Sequence, residues 1–198
     1  MNHSLMLLLF SSLLSIPALA GNDVPDQQRM TDEAREAARQ LVTTLGDALQ
    51  QALADSGPEG AITVCRDTAP MLAGSLSRQT GWKVGRVSLR TRNPLIGQPD
   101  AWEQEILRQM DKYAAAGADL SSLSVSEMVS EPDGTYFRFM KALPVKPLCL
   151  TCHGNEQTIP ESVRARLSSE YPHDRATGYQ AGQIRGAVTI KRKLDSNN

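Results

Sequence analysis

The pentapeptide Cys149-Leu150-Thr151-Cys152-His153 constrains this chain more than any other feature. Two thiols separated by two residues on one tight turn reach both vinyl groups of a haem, and the adjacent imidazole then meets the iron from the same side. The motif therefore reads as the attachment site of a single covalent c-type haem, with Cys149 and Cys152 as thioethers and His153 on the iron. A zinc site would want four ligands, usually as two separated pairs, and only Cys65 and His173 remain to supply them. A thioredoxin-like dithiol would open a helix after the first strand of a βαβ unit, whereas this pair comes late in the chain, after Pro144 and Pro147.

The three cysteines are an odd number, and in an oxidising compartment an unpaired thiol needs burial or ligation. Haem attachment consumes two of them and offers a metal to the third. Residues 1–20 carry no Asp, Glu, Lys or Arg and run through apolar Leu5 to Leu14 into Ala18-Leu19-Ala20, the pattern of a secretory signal peptide. A periplasmic location follows as the expectation, with an N-terminal membrane tether as the alternative if the signal is not cleaved. No second apolar run of spanning length follows it, so no integral membrane domain is expected after cleavage. A formal charge of −1 without any basic block argues against nucleic acid as a partner.

The rest of the chain reads as one domain over residues 31–194, after a linker over 21–30 and before a tail over 195–198. A first helix is expected from about Thr31, with Ala34, Ala37, Ala38, Leu41, Val42, Leu45, Leu49, Ala52 and Leu53 as its apolar stripe. Ser56-Gly57-Pro58 ends it. A second helix from Pro58 passes through Ile62, Cys65, Ala69, Leu72 and Leu76, with Pro70 as a kink. Lys83 to Leu89 reads as a strand with Arg86, Ser88 and Arg90 on one face. A helix over Ala101 to Ala116, capped by Asp100, points Trp102, Ile106, Leu107, Met110 and Tyr113 inward. Pro132-Asp133-Gly134 joins a hairpin in which Phe137 and Phe139 face one way and Tyr136, Arg138 and Met140 the other. The haem motif is expected on a loop, followed by a short helix over Pro160 to Tyr171 and a last strand over Gln183 to Lys191. Helices first and locally paired strands later give an α+β fold around an antiparallel sheet.

On the far side of the iron the residues leave several candidates open: Cys65, His173 and Met30, Met71, Met110, Met128 and Met140. By spacing alone Cys65 is a small residue on an apolar helix face. Arg86 and Arg90 could meet haem propionates, since guanidinium pairs bidentately with carboxylate, although a solvated strand face accounts for them as well. No His or Arg-His spacing suggests the distal acid-base pair of a peroxidase, so no enzyme is expected.

Several stretches together resemble the haem-c-binding, PAS-like sensor domains, a family first catalogued as a domain of unknown function. They are Gly57-Pro58-Glu59-Gly60-Ala61-Ile62-Thr63-Val64-Cys65 with Ala69-Pro70, Gly81-Trp82 through Asn93-Pro94, Pro99-Asp100-Ala101-Trp102-Glu103, the motif through Gly154, and Asp174 to Tyr179 with Gly182 to Ala187. The resemblance preserves order and runs from about Thr31 to Leu194. The chain departs from the family pattern after Asn93-Pro94, where Leu95-Ile96-Gly97-Gln98 stands in place of a segment that commonly carries an Asn. The resemblance implies a PAS-like antiparallel sheet with N-terminal helices packed around one haem, and a six-coordinate iron with His153 on one side and Cys65 on the other. A thiolate favours ferric iron, so it implies redox sensing or low-potential single-electron transfer through a separate redox or signalling partner protein. The alternative it leaves is a diatomic-gas or small-ligand sensor in which Cys65 is displaced.

Overall fold

The computed structural model describes residues 27–194; the expected signal peptide and the tail over 195–198 lie outside the described residues. Helix α1, Gln27–Thr63, begins four residues before the expected start. Met30, Ala34, Ala37, Ala38 and Leu41 repeat at helical spacing and are all buried. Val42 falls off that stripe and is exposed, while Leu45, Leu49 and Leu53 are half-buried. The helix breaks at Gly57, whose φ of 67° is open to glycine at little cost, and Pro58 restarts it where a missing N–H does no harm. One wide π turn, Val64–Thr68, follows and carries Cys65. Pro70 sits at the opening of α2, Ala69–Thr80, so the expected kink takes the form of this widened turn just upstream.

Strand β1, Lys83–Val87, stops two residues short of the expected end. A single helical turn, α3 Pro94–Gly97, leads to α4, Ala101–Ala115. The reciprocal bonds between Asp100 and Glu103 form a capping box, satisfying two orphan N–H groups at the start of α4. Ile106, Leu107 and Met110 are buried, but Tyr113 turns outward and is exposed, contrary to the stripe read from the sequence. Strands β2, Ser124–Glu131, and β3, Gly134–Pro144, form the expected hairpin. A short turn over Pro147–Cys149 then leads straight into α5, Leu150–His153, so the motif is helical rather than a loop. Helix α6, Glu161–Glu170, and strand β4, Ile184–Lys193, complete the described chain.

The four strands form one antiparallel sheet in the order β1-β4-β3-β2. Alternation along the strands sends Phe137, Phe139, Val188 and Ile190 to one face, against α1 and α2. Met140, Ala142 and Ala187 go to the other face, against Ile106, Leu107 and Met110 of α4. The sheet is thus covered on both sides. Arg138, on the α4 face, is 3% exposed and is held by Asp100 at 2.6 Å, Glu103 at 3.2 Å and Glu131 at 3.3 Å. Buried among three carboxylates and stacked over Trp102, its charge is compensated rather than stranded.

Two smaller apolar clusters lie beyond the sheet. Ile62 of α1 packs with Ile159, Val163, Leu167 and Tyr171, and Cys152 leans on this group. Val145, Ala176 and Tyr179 form the other, against Cys149 and Leu150. The Cys-x-x-Cys turn is therefore wedged between two hydrophobic contacts.

Phe139 is fully buried between the sheet and α1, so Phe139→Ala is expected to lower the unfolding free energy by about 3–5 kcal/mol. Val42→Ala, on the exposed side of α1, should change it by no more than about 0.5 kcal/mol. Urea midpoints at constant slope check both.

Candidate functional site

The motif turn is positioned by what surrounds it. The N–H of Tyr179 donates to His153 O at 2.9 Å, and the N–H of Gly178 donates to Gly154 O at 2.6 Å. Gly154 itself bonds back to Leu150 O, and a Cβ there would press into that carbonyl, so the exit from α5 requires glycine. Arg92 ties the turn from the other side: Nη2 donates to Cys152 O at 2.5 Å, and Nε donates to Asp174 at 2.9 Å, both partners being almost buried. Asp174 in turn accepts from the N–H of Ala176 at 2.7 Å.

His153 is held through one nitrogen. Its Nδ1 lies 2.7 Å from Ala176 O, an acceptor only, so Nδ1 carries the proton and Nε2 keeps its lone pair. Burial, followed by the charges of Arg92 and Arg185, pushes the imidazole well below its ordinary value of 6.5. The ring is neutral across the physiological range, as a metal ligand must be. The Arg185 guanidinium lies against this ring, with Nε 3.3 Å from Nδ1 and 3.5 Å from Nε2, and Nη1 donates to Ser88 Oγ at 2.9 Å.

A cleft of about 390 Å³ opens between α2, the end of β1 and the start of β4, within the range of about 300–1,000 Å³ usual for small-molecule and cofactor sites. His153 and Arg185 line it together with Cys65, which the widened turn before α2 presents, and with Ala69, Ala73 and Leu143. Cys149 and Cys152 lie next to it, around a small cavity of about 40 Å³ that Cys65 also lines. All three cysteines are free thiols, and burial raises the pKa of Cys152.

The Arg86 side chain also lines the cleft and makes no hydrogen bond or ion pair among the described residues. Burial lowers its pKa, and only the nearby Cys65 and Tyr171 act against that. With Arg66, Arg92 and Arg185 it gives the cleft four guanidiniums, of which Arg66 and Arg92 have carboxylate partners and Arg86 and Arg185 have none among the described residues. Such a site favours an anionic guest. Tyr171, at the edge, is pushed up to about 12, first by burial and then by Cys65.

The structure thus places Cys65, Cys149, Cys152, His153 and Arg86 around one region. Arg90 is elsewhere: β1 ends at Val87, the alternation is lost, and the Arg90 guanidinium stacks over Tyr179 at 4.1 Å outside the cleft. His173 does not line the cleft either. Arg92, Asp174 and Arg185 carry roles that sequence reasoning did not assign, although the Asp174 to Ala176 and Gly182 to Ala187 stretches were among those shared with the haem-binding domains. Among the described residues no three His, Cys, Asp or Glu side chains cluster tightly enough to hold a bare metal ion. A macrocycle that brings its own four nitrogens asks far less, one axial ligand from each side.

The family model of the Tll0287-like proteins matches residues 27–192. This chain belongs to the Tll0287-like family. Its fold is similar to that in the crystal structure of the cyanobacterial heme-protein Tll0287, with a TM-score of 0.64 at 20% identity over 86% of this chain and 98% of the other. The shared architecture is the helix-flanked antiparallel sheet. A comparison with curated protein sequences gave no match.

The depressed imidazole has a consequence for stability in the chain free of bound groups. Unfolded His153 takes up a proton near pH 6.5 while the folded ring does not, so its contribution is complete above that pH and is lost as the pH falls below it. Unfolding free energy should fall by up to about 1.4 kcal/mol per pH unit below about 6.5, and His153→Gln should remove that part of the slope. Urea unfolding of both proteins at about pH 7.5 and about pH 5.5 checks the sign.

Proposed function

We propose that this chain is an exported monohaem c-type protein that senses redox state or transfers single electrons at low potential. The observation that carries the reading is that Cys65 and His153, far apart in the sequence, line one cationic cleft beside the Cys149–Cys152 turn. The donor set suits a haem: two thiols at the attachment spacing, an imidazole whose Nε2 keeps its lone pair, and a further thiol lining the same cleft. The heme-protein relative with the same fold supports it.

When bound, the haem supplies one-electron chemistry at its iron. His153 would ligate through Nε2, with Ala176 O holding its orientation and strengthening its basicity. Cys65 would ligate as the thiolate, and that charge favours the ferric state and a low potential. The unpartnered Arg86 would meet a propionate, and Arg92 and Arg185 hold the motif turn and the ring in place. The periplasm is the compartment this chemistry asks for, and the apolar segment before Ala20 supports it.

A second reading is a small-ligand sensor in which Cys65 leaves the iron. It is favoured by the seat of Cys65 on a π turn, a local widening often found where a helix must move or bind.

Expression of the precursor with the c-type maturation machinery is expected to add one covalent haem mass and haemochrome bands. Cys149→Ala with Cys152→Ala should abolish the mass, and a wild-type chain without it would overturn the proposal. Cys65→Ala should convert a low-spin ferric spectrum to high-spin; an unchanged spectrum would remove Cys65 from the iron. A carbon monoxide shift in the reduced wild type would favour the sensor.

A further inference from the structure

A second cavity, of about 420 Å³, lies between α4 and the start of β4. It meets the cationic cleft only along Ser88 and Gly186 and contains neither His153 nor any cysteine. Its inner wall is apolar, formed by Leu107, Ala114 and Ile184, while two opposite charges, Arg90 and Asp111, line it as well.

Arg90 is held for binding yet unused. Its guanidinium lies over the Tyr179 ring at 4.1 Å, and Nε donates to Arg175 O at 3.4 Å, leaving the two terminal nitrogens without a bond among the described residues. Gly178, at φ 72°, leaves the space beside them open; a Cβ there would come within 3.2 Å of Nη2. Asp111 makes no hydrogen bond or ion pair among the described residues. Asp111 stands on the exposed side of α4; partial burial raises its carboxyl pKa and Arg90 pulls it back, so it feels Arg90 without pairing with it. A simple carboxylate ligand would meet repulsion from Asp111, and a simple amine would meet it from Arg90. A molecule that carries both charged groups on one carbon atom, with an apolar substituent to lie on Leu107 and Ile184, meets neither objection.

We propose that this cavity binds a free apolar α-amino acid, with its carboxylate on Arg90, its ammonium on Asp111 and its side chain on the Leu107 and Ile184 wall. The site is formed by protein groups alone and does not rest on the haem reading.

The test is titration calorimetry of the full protein, as purified from haem-maturing cells, with L-valine, L-leucine and L-phenylalanine. Saturable binding of at least one is expected. Isocaproate, which lacks leucine's ammonium, and isoamylamine, which lacks its carboxylate, should bind about tenfold or more weakly than leucine or the best amino acid, as should that amino acid to Arg90→Gln and to Asp111→Asn. Absence of saturable binding by all three amino acids would overturn the proposal. So would isocaproate binding as tightly as the amino acid, or affinity unchanged in both variants. The two comparators need no variant, so a misfolded mutant leaves the test intact. Haem mass, measured separately on the same samples, keeps failure here distinct from failure of the haem proposal.

Discussion

The arrangement at the cleft depends on Arg92. Its ion pair with Asp174 is nearly buried, and the same guanidinium holds the carbonyl of Cys152 and approaches that of Ala176 at 3.5 Å. Three stretches far apart in sequence, the segment after β1, the α5 turn and the loop after α6, are therefore fastened by one side chain. Removing both charges from water is expensive, and such a pair adds little net stability over apolar packing. What it does add is geometry: Ala176 O comes to rest against His153 Nδ1, and the other ring nitrogen keeps its lone pair. The tautomer of the imidazole is set two bonds away from the ion pair that positions it.

The layers around the sheet explain why the cleft lies where it does. Helices α1 and α2 cover one face and α4 the other, so the broad surfaces of the sheet are spent on packing. Space remains at the end of β1 and the start of β4, where Gly186, at φ 157°, lets the two strands come close; a Cβ there would run into Val87 O. Helix α2 borders that end and is entered through the widened turn that carries Cys65. The cleft is thus bounded by two irregularities, a glycine in a strand and an extra residue in a helical turn, both common near functional sites.

Much of this was legible in the sequence because period and punctuation agreed with the fold. The hairpin turn at Pro132-Asp133, the Asp100 cap, the Gly57 break and the outward and inward alternation of Phe137 to Met140 are local signals with tertiary support. The Cys-x-x-Cys-His motif stood out because its spacing carries chemistry. Arg86 and Arg90 show where such reading stops: period two placed them together, but the strand ends between them. Tyr113 belonged to the apolar stripe by spacing but is exposed, and Ala114, the next residue round the helix, packs against the core instead. Arg92 and Arg185 left no periodic trace, since their roles are set by contacts with residues some 60 and 32 positions away. Arg138 reads as an ordinary outward strand residue until a helix with two acids is laid over it.

The last strand of the chain lies inside the sheet, between β1 and β3, rather than at its edge. A chain that emerges N-terminus first, from a ribosome or through a membrane channel, therefore carries its hairpin, its helices and its thiols for some time without the element that joins them. Arg185, which lies against the imidazole, and Ile184 arrive with that strand. Until they do, β1 has no neighbour, and the apolar faces of α1 and α4 have half a sheet to lie on. Closure of this sheet thus waits for β4, and anything installed at the thiols before β4 arrives meets them on an unfinished fold.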